Sequence, residues 1–197
     1  MDSRTFTLLG SYTPGGSYIL MISLSAPVNL AFGRFMNGKP IELPDGDYLY
    51  IGSALGGIGS HNPLASRLVR HTARSGGKKP HAIREEVIAL FAGHTCSRKN
   101  SIGIAQKKLR WHIDYLLDLS EAEITHIVVI RSPFRLERKL WELLRPLEET
   151  GVPAHRLGAQ DTRDSTHLLK LSDRKKVLEI LRNSIPAMLI DDCTKEY

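Results

Sequence analysis

Two tyrosines, a run of basic residues and one glutamate are spaced so that they could handle a phosphate ester. Tyr18 lies in Gly16-Ser17-Tyr18 and Tyr50 in Tyr50-Ile51-Gly52. If each ends up on a strand and the strands pair, two phenols converge at one sheet edge. Strand propensity alone also accounts for tyrosines at such places. Arg67, Arg70, His71 and Arg74 follow at i, i+3, i+4 and i+7, the spacing of a single helix face. Guanidinium suits phosphate because it donates two parallel hydrogen bonds. Leu64, Ala65, Leu68 and Val69 would dock the other side of that helix. Glu137 falls at the margin of the stripe Leu136, Leu140, Leu143, Leu144 and Leu147, whereas Glu142 lies round the solvated side. A half-buried carboxylate facing a cleft can hold Mg²⁺, which takes one or two protein carboxylates plus water and phosphate oxygens. His112 and Asp114, within Lys107 to Leu117, could bond to each other or cap a helix; Trp111, Tyr115 and Leu116 read as core.

Charge points the same way. The chain has 197 residues and a net charge of +6. From Arg67 to Arg110, eleven Lys and Arg oppose only Glu85 and Glu86; this segment is +9 and the remainder −3. Such an excess attracts polyanions. Arg70, Arg74, Lys78, Lys79, Lys107, Lys108 and Arg110 are the candidate nucleic-acid contacts. Aromatic content of 7% does not indicate a stacking platform for single strands. There is no Gly-x-Ser-x-Gly elbow, P-loop or Gly-x-Gly-x-x-Gly turn. Cys96 and Cys193, with His94, form no zinc-ligand set. No apolar run reaches the roughly 18 residues that span a bilayer. A polar, glycine-rich start and two cysteines are read as cytoplasmic.

The elements that must position these groups are a strand over Ser17–Leu24, a hairpin turning at Asn37-Gly38, and a strand over Asp47–Ile51 with Tyr48 and Tyr50 on one face. Helices are expected over 63–73, 80–91, 107–117, 133–149 with Ser132 as cap, and 174–183. Further strands are expected over 124–130 and 167–171, and a frayed tail from Asp191. The expectation is one α+β domain over 1–197, with a small mixed or antiparallel sheet flanked by helices. Its core spans about 16–171, with an inserted helical and loop segment over about 76–106 and a C-terminal helix over about 173–184.

The ordered set of Gly-x-Tyr, Tyr-Ile-Gly-Ser-Ala-Leu-Gly, Arg-x-x-Arg-His and a helical glutamate resembles the GIY-YIG nuclease superfamily. Within it, Lys107 to Leu117 and Ser165-Thr166-His167-Leu168 resemble a prokaryotic branch with a Trp-His-Ile-Asp-Tyr segment. The resemblance implies metal-dependent endonucleolytic hydrolysis of nucleic-acid phosphodiesters, DNA being favoured over RNA. It implies Mg²⁺ or Mn²⁺ on Glu137, Arg67 on the scissile phosphate, Tyr18 and Tyr50 as the motif tyrosines, and His71 at a proton-transfer position. His112, Asp114, Ser165 and His167 would be accessory. The alternative is a nucleic-acid-binding module of the same fold without turnover. The segment 76–106 is longer than the connection the resemblance implies. Asp161, Asp164, Ser165 and His167 stand where the superfamily often has a late asparagine.

Overall fold

The computed structural model describes residues 5–11, 13–56, 61–92, 107–154, 157 and 166–193, with side chains as far as 190. Ser165, Asp161, Asp164, His94, Cys96, Arg98 and Lys99 lie outside the described residues.

Alternation decides the architecture. In β2 (Gly16–Leu24), Tyr18, Leu20, Ile22 and Leu24 join one buried cluster, while Ile19 and Met21 join a second. β5 (Gly46–Ala54) divides likewise, with Tyr48 and Tyr50 on the first side and Leu49 and Ile51 on the second. In β6 (Ala122–Arg131), Ile127 and Val129 oppose Val128 and Ile130. A sheet apolar on both faces must be covered twice. α1 (Pro63–His71), α2 (Arg84–Phe91) and α3 (His112–Leu117) cover one face; α4 (Glu137–Leu144) and α5 (Arg174–Cys193) cover the other. The sheet is mixed and six-stranded, in the order β1-β6-β2-β5-β8-β7. Among the described residues, only β1 (Phe6–Gly10) against β6 is parallel. β7 (Thr150–Gly151) and β8 (Leu168–Leu171) close the far edge, and β3 (Val28–Leu30) and β4 (Ile41–Leu43) form a separate ribbon. The molecule is therefore α+β, as its sequence indicates.

Several boundaries differ from expectation, each for a local reason. β1 and β7 carry too little pattern to be read. α1 stops at His71, where Thr72 turns its hydroxyl back on the Val69 carbonyl at 2.9 Å. α4 begins only at Glu137 because Ser132 Oγ accepts from the Phe134 N–H at 3.1 Å and thus holds a turn, not a helix cap. It ends at Leu144 with Arg145 as its cap, since Pro146 has no N–H to continue the ladder. Segment 107–111 is non-helical, and α5 runs on to Cys193 where a frayed tail was expected. The described part of 76–106 is no mere appendage: Val87 and Phe91 of α2 are buried in the first core.

The Tyr-Ile-Gly triplet has a steric cause. Gly52 pairs with Tyr18 across the β2–β5 register. A Cβ on Gly52 would lie 2.4 Å from Tyr18 Cζ and 2.5 Å from its hydroxyl. The phenol therefore lies across a residue that must have no side chain. Gly52→Ala is expected to destabilise the fold by about 1–3 kcal/mol through overpacking, measured by urea denaturation.

Candidate active site

The nominated groups gather where β2 begins and β5 and β6 end. Tyr18 is fully buried, with its hydroxyl 2.8 Å from His71 Nε2. His71 was placed with the basic stripe, but it is 1% exposed. It belongs to the inward row Leu64, Leu68, His71, spaced i, i+4, i+7. That row faces the sheet, and so the imidazole meets the phenol. Tyr50 is buried beside both, its ring centroid 6.4 Å from Tyr18 and 6.2 Å from His71. His167 stands 6.3 Å from the Tyr50 ring, and its backbone carbonyl accepts from Ile51 N, which extends the β8 pairing to the site.

Asp114, in the first turn of α3, is fully buried. Its Oδ2 accepts from Arg70 Nη2 at 2.6 Å and from the N–H groups of Arg110 and Trp111 at 2.9 and 3.1 Å. These bonds hold segment 107–111 out of helical form. Oδ1 lies 3.6 Å from His71 Nδ1, too far for a formed hydrogen bond. Burial alone would raise the Asp114 carboxyl; the facing His71 and the two N–H groups outweigh it and hold it well below the usual carboxylate range. His112, offered as a partner for Asp114, instead packs its ring on Phe35 and Phe32, with centroids 5.1 and 6.5 Å away.

Outside this buried line is a cavity of about 460 Å³. Arg67, Arg70, Arg135 and Trp111 line it together with Ser53 to Gly56 of the β5 end and Pro63 and Ser66 of α1. Arg67 stands 4.0 Å over the Trp111 ring, Arg70 at 4.8 Å and Arg110 at 5.3 Å. A ring orients a guanidinium without consuming its N–H donors. Trp111 is thus half-buried against the first core and is also the bed of an arginine cluster. Arg110, Lys108 and Lys79 are exposed. Lys78 is engaged with Asp118 Oδ2 at 2.6 Å.

Arg74 and Lys107, expected as nucleic-acid contacts, point inward instead. Arg74 lies beyond the end of α1 and is 5% exposed. It donates to the carbonyls of Lys79, Leu119 and Ala122 and to Glu123. Lys107 is 7% exposed and donates to the Ala73 carbonyl at 2.6 Å; burial lowers its pKa to about 8. Both are braces, since buried charges must be paired to be tolerated.

Glu137 reaches the site from the other face of the sheet. Ser17, whose side chain points opposite to that of Tyr18, accepts from Leu136 N at 3.0 Å and anchors the start of α4 to β2. The Glu137 side chain is 16% exposed, with Arg135 Nη1 at 3.5 Å. Burial raises the Tyr18 pKa well above its ordinary value; nearby Tyr50 and Glu137 add to the rise and Arg67 opposes it. Ser17 was not legible as a site residue, because only the folded register puts it beneath Leu136. Among the described residues, no cluster of three or more His, Cys, Asp or Glu could hold a metal.

The site of this α+β protein is thus a buried phenol–imidazole pair beside an arginine-lined cavity. Residues 17–190 match the family described as Domain of unknown function DUF123, and the chain belongs to that family. No curated protein and no solved structure matches it. No described helix is long and apolar enough to cross a membrane.

Burial lowers the His71 pKa from 6.5 to about 4, although Asp114 raises it in part. The unfolded chain therefore binds this proton more readily than the folded one, and stability falls as pH drops from about 6.5 to about 4. His71 is expected to stay neutral at pH 6 in a ¹H–¹⁵N titration. His71→Gln should flatten the loss of urea stability across that window.

Proposed function

We propose that the protein is a metal-dependent endonuclease of the GIY-YIG type, hydrolysing phosphodiesters of cytoplasmic nucleic acid, DNA before RNA. The observation that carries this reading is the convergence of Arg67, Tyr18 with His71, and Glu137 at one end of the sheet. Arg67 lies over Trp111 beside the Tyr18 phenol and would hold the scissile phosphate, stabilising charge that builds on its oxygens. Arg70 and Arg135 would hold the neighbouring backbone. Exposed Lys79, Lys108 and Arg110 would extend the contact electrostatically.

Tyr18 and His71 supply the proton path. Neutral His71 can accept the Tyr18 proton as the phenol takes one from an attacking water. Tyr18 is screened from solvent, so water reaches it once Arg67 turns from the phenol toward the phosphate. Tyr50, beside both rings, would help to fix that water. The donor set suits Mg²⁺ or Mn²⁺: Glu137 is half-buried at the cleft margin, and its contact with Arg135 is long enough to yield. When bound there, the ion would polarise the phosphate and stabilise the leaving oxygen.

The complete burial of Tyr18 also favours a second reading, in which the same surface binds nucleic acid without turnover. A Mg²⁺ and Mn²⁺ cleavage assay on branched, nicked, single-stranded and duplex DNA and RNA separates the two. Arg67→Ala is expected to lower kcat/KM by about 10²–10³. Glu137→Ala should abolish metal-dependent cleavage and leave salt-sensitive binding. Full metal-dependent cleavage by both variants would overturn the assignment. A folded, metal-loaded wild type that binds in EDTA yet cuts nothing would establish the binding module.

A further inference from the structure

Asp114 divides its two oxygens unequally. Oδ2 accepts three hydrogen bonds, from Arg70, Arg110 N and Trp111 N. Oδ1 is buried with no hydrogen-bond partner, and His71 Nδ1, 3.6 Å away, is in the same condition. Buried polar atoms seldom stay unpaired, and two that face each other across so short a gap are one bond waiting to close. Lys107 Nζ is the other charge near Oδ1, at 3.9 Å, but it donates to the Ala73 carbonyl.

The tautomer follows from this placement. Were the His71 proton on Nε2, the Nδ1 lone pair would face a carboxylate oxygen, two acceptors opposed in a buried site. With the proton on Nδ1, a donor faces that oxygen and Nε2 is left to accept from the Tyr18 hydroxyl. We propose that Asp114 is the positioning residue of a Tyr18–His71–Asp114 relay, holding His71 in the Nδ1–H form so that Nε2 can take the Tyr18 proton. The relay rests on the hydrolytic reading above.

Its proton accounting closes. As the water oxygen bonds to phosphorus, its proton passes to Tyr18 Oη and the Tyr18 proton passes to His71 Nε2. The bond from phosphorus to the leaving oxygen breaks, and that oxygen takes a proton from solvent. His71 is then an imidazolium against the Asp114 carboxylate, which contracts the Nδ1–Oδ1 gap to hydrogen-bond length. Return of the proton through Tyr18 to solvent resets the site. Catalytic hydrogen bonds that are long before the reaction and tighten during it are a general pattern.

Two measurements test this. In ¹⁵N-histidine-labelled wild type at neutral pH, long-range ¹H–¹⁵N correlations should show His71 protonated on Nδ1; an Nε2–H form overturns the proposal. Asp114→Asn should move His71 toward the Nε2–H form and lower kcat by about 10²–10⁴ with KM little changed, the loss expected of a wrong tautomer. Activity lost with the tautomer unchanged would reduce Asp114 to a structural role and overturn the relay. If the Asn variant fails to fold, the wild-type spectrum decides alone. If the wild type cleaves nothing, the hydrolytic reading falls separately, while the spectrum still decides whether Asp114 orients His71.

Discussion

The Asp114 carboxylate is a full charge placed where water does not reach, and much of the local architecture is organised to tolerate it. A buried carboxylate costs several kcal/mol of lost solvation unless donors replace the water. Here the groups that face it come from two segments. Arg70 reaches it from α1, two backbone N–H groups come from the extended stretch before α3, and His71 turns toward it from the inward face of α1. Removing both acceptor oxygens, as alanine would, frees α1 from α3 and lets segment 107–111 seek another conformation, whereas asparagine keeps an acceptor for these donors. The imidazole beneath Tyr18 is oriented by the same group that ties the helices together, so site and scaffold share one electrostatic solution.

A second inward charge system braces the segment that follows α1. Arg74, His81 and Glu123 bind one another and the carbonyls at the ends of α3 and β6. Arg84 is buried as well and donates to the Val69 carbonyl at 2.7 Å. Of the eleven basic residues counted in sequence, Arg74, Arg84 and Lys107 are therefore internal struts. The electrostatic footprint is smaller than the tally suggests, but more focused. Arg67, Arg70 and Arg110 cluster around Trp111, where cation–π attraction of about 0.5–2 kcal/mol each helps to hold the heads, Arg70 being paired with Asp114 as well. A ring positions a guanidinium without occupying the N–H donors that a phosphate needs.

The sequence made the central sheet legible because β2, β5 and β6 carry long apolar or alternating runs, and helix existence because Pro, Asn and leucine spacing mark α1 and α4. β1 was missed: Phe6–Gly10 is five residues in a stretch that reads as polar and glycine-rich. Periodicity also misled at α1. A helix assumed to run through Arg74 puts His71 and Arg74 on one basic face, whereas a helix ending at His71 leaves the imidazole on the core row and sends the guanidinium inward. Tyr18, Tyr50, Arg67 and Glu137 were legible as types at a spacing. The role of Asp114 was not, since its partners Arg70 and His71 lie more than 40 positions away and only tertiary packing chooses among the acceptors they could find.

Strand register carries the last step of that assembly. Neighbouring residues of β2 serve opposite layers: Ser17 anchors the start of α4, and Tyr18 meets His71 on the α1 side. Side chains alternate with a period of two, so a slip of one residue would send the serine to the imidazole and the phenol to α4. Gly52 guards against this, because the Tyr18 ring fits only across a position without a Cβ. The site lies at the end of the sheet and draws on both covering layers. Its arginine and histidine come from one layer and its carboxylate from the other. Correct pairing of β2 with β5 therefore sets the distance between the group that would move a proton and the group that would hold a cation. The alternation that buries two cores also separates those two chemistries by the thickness of one strand.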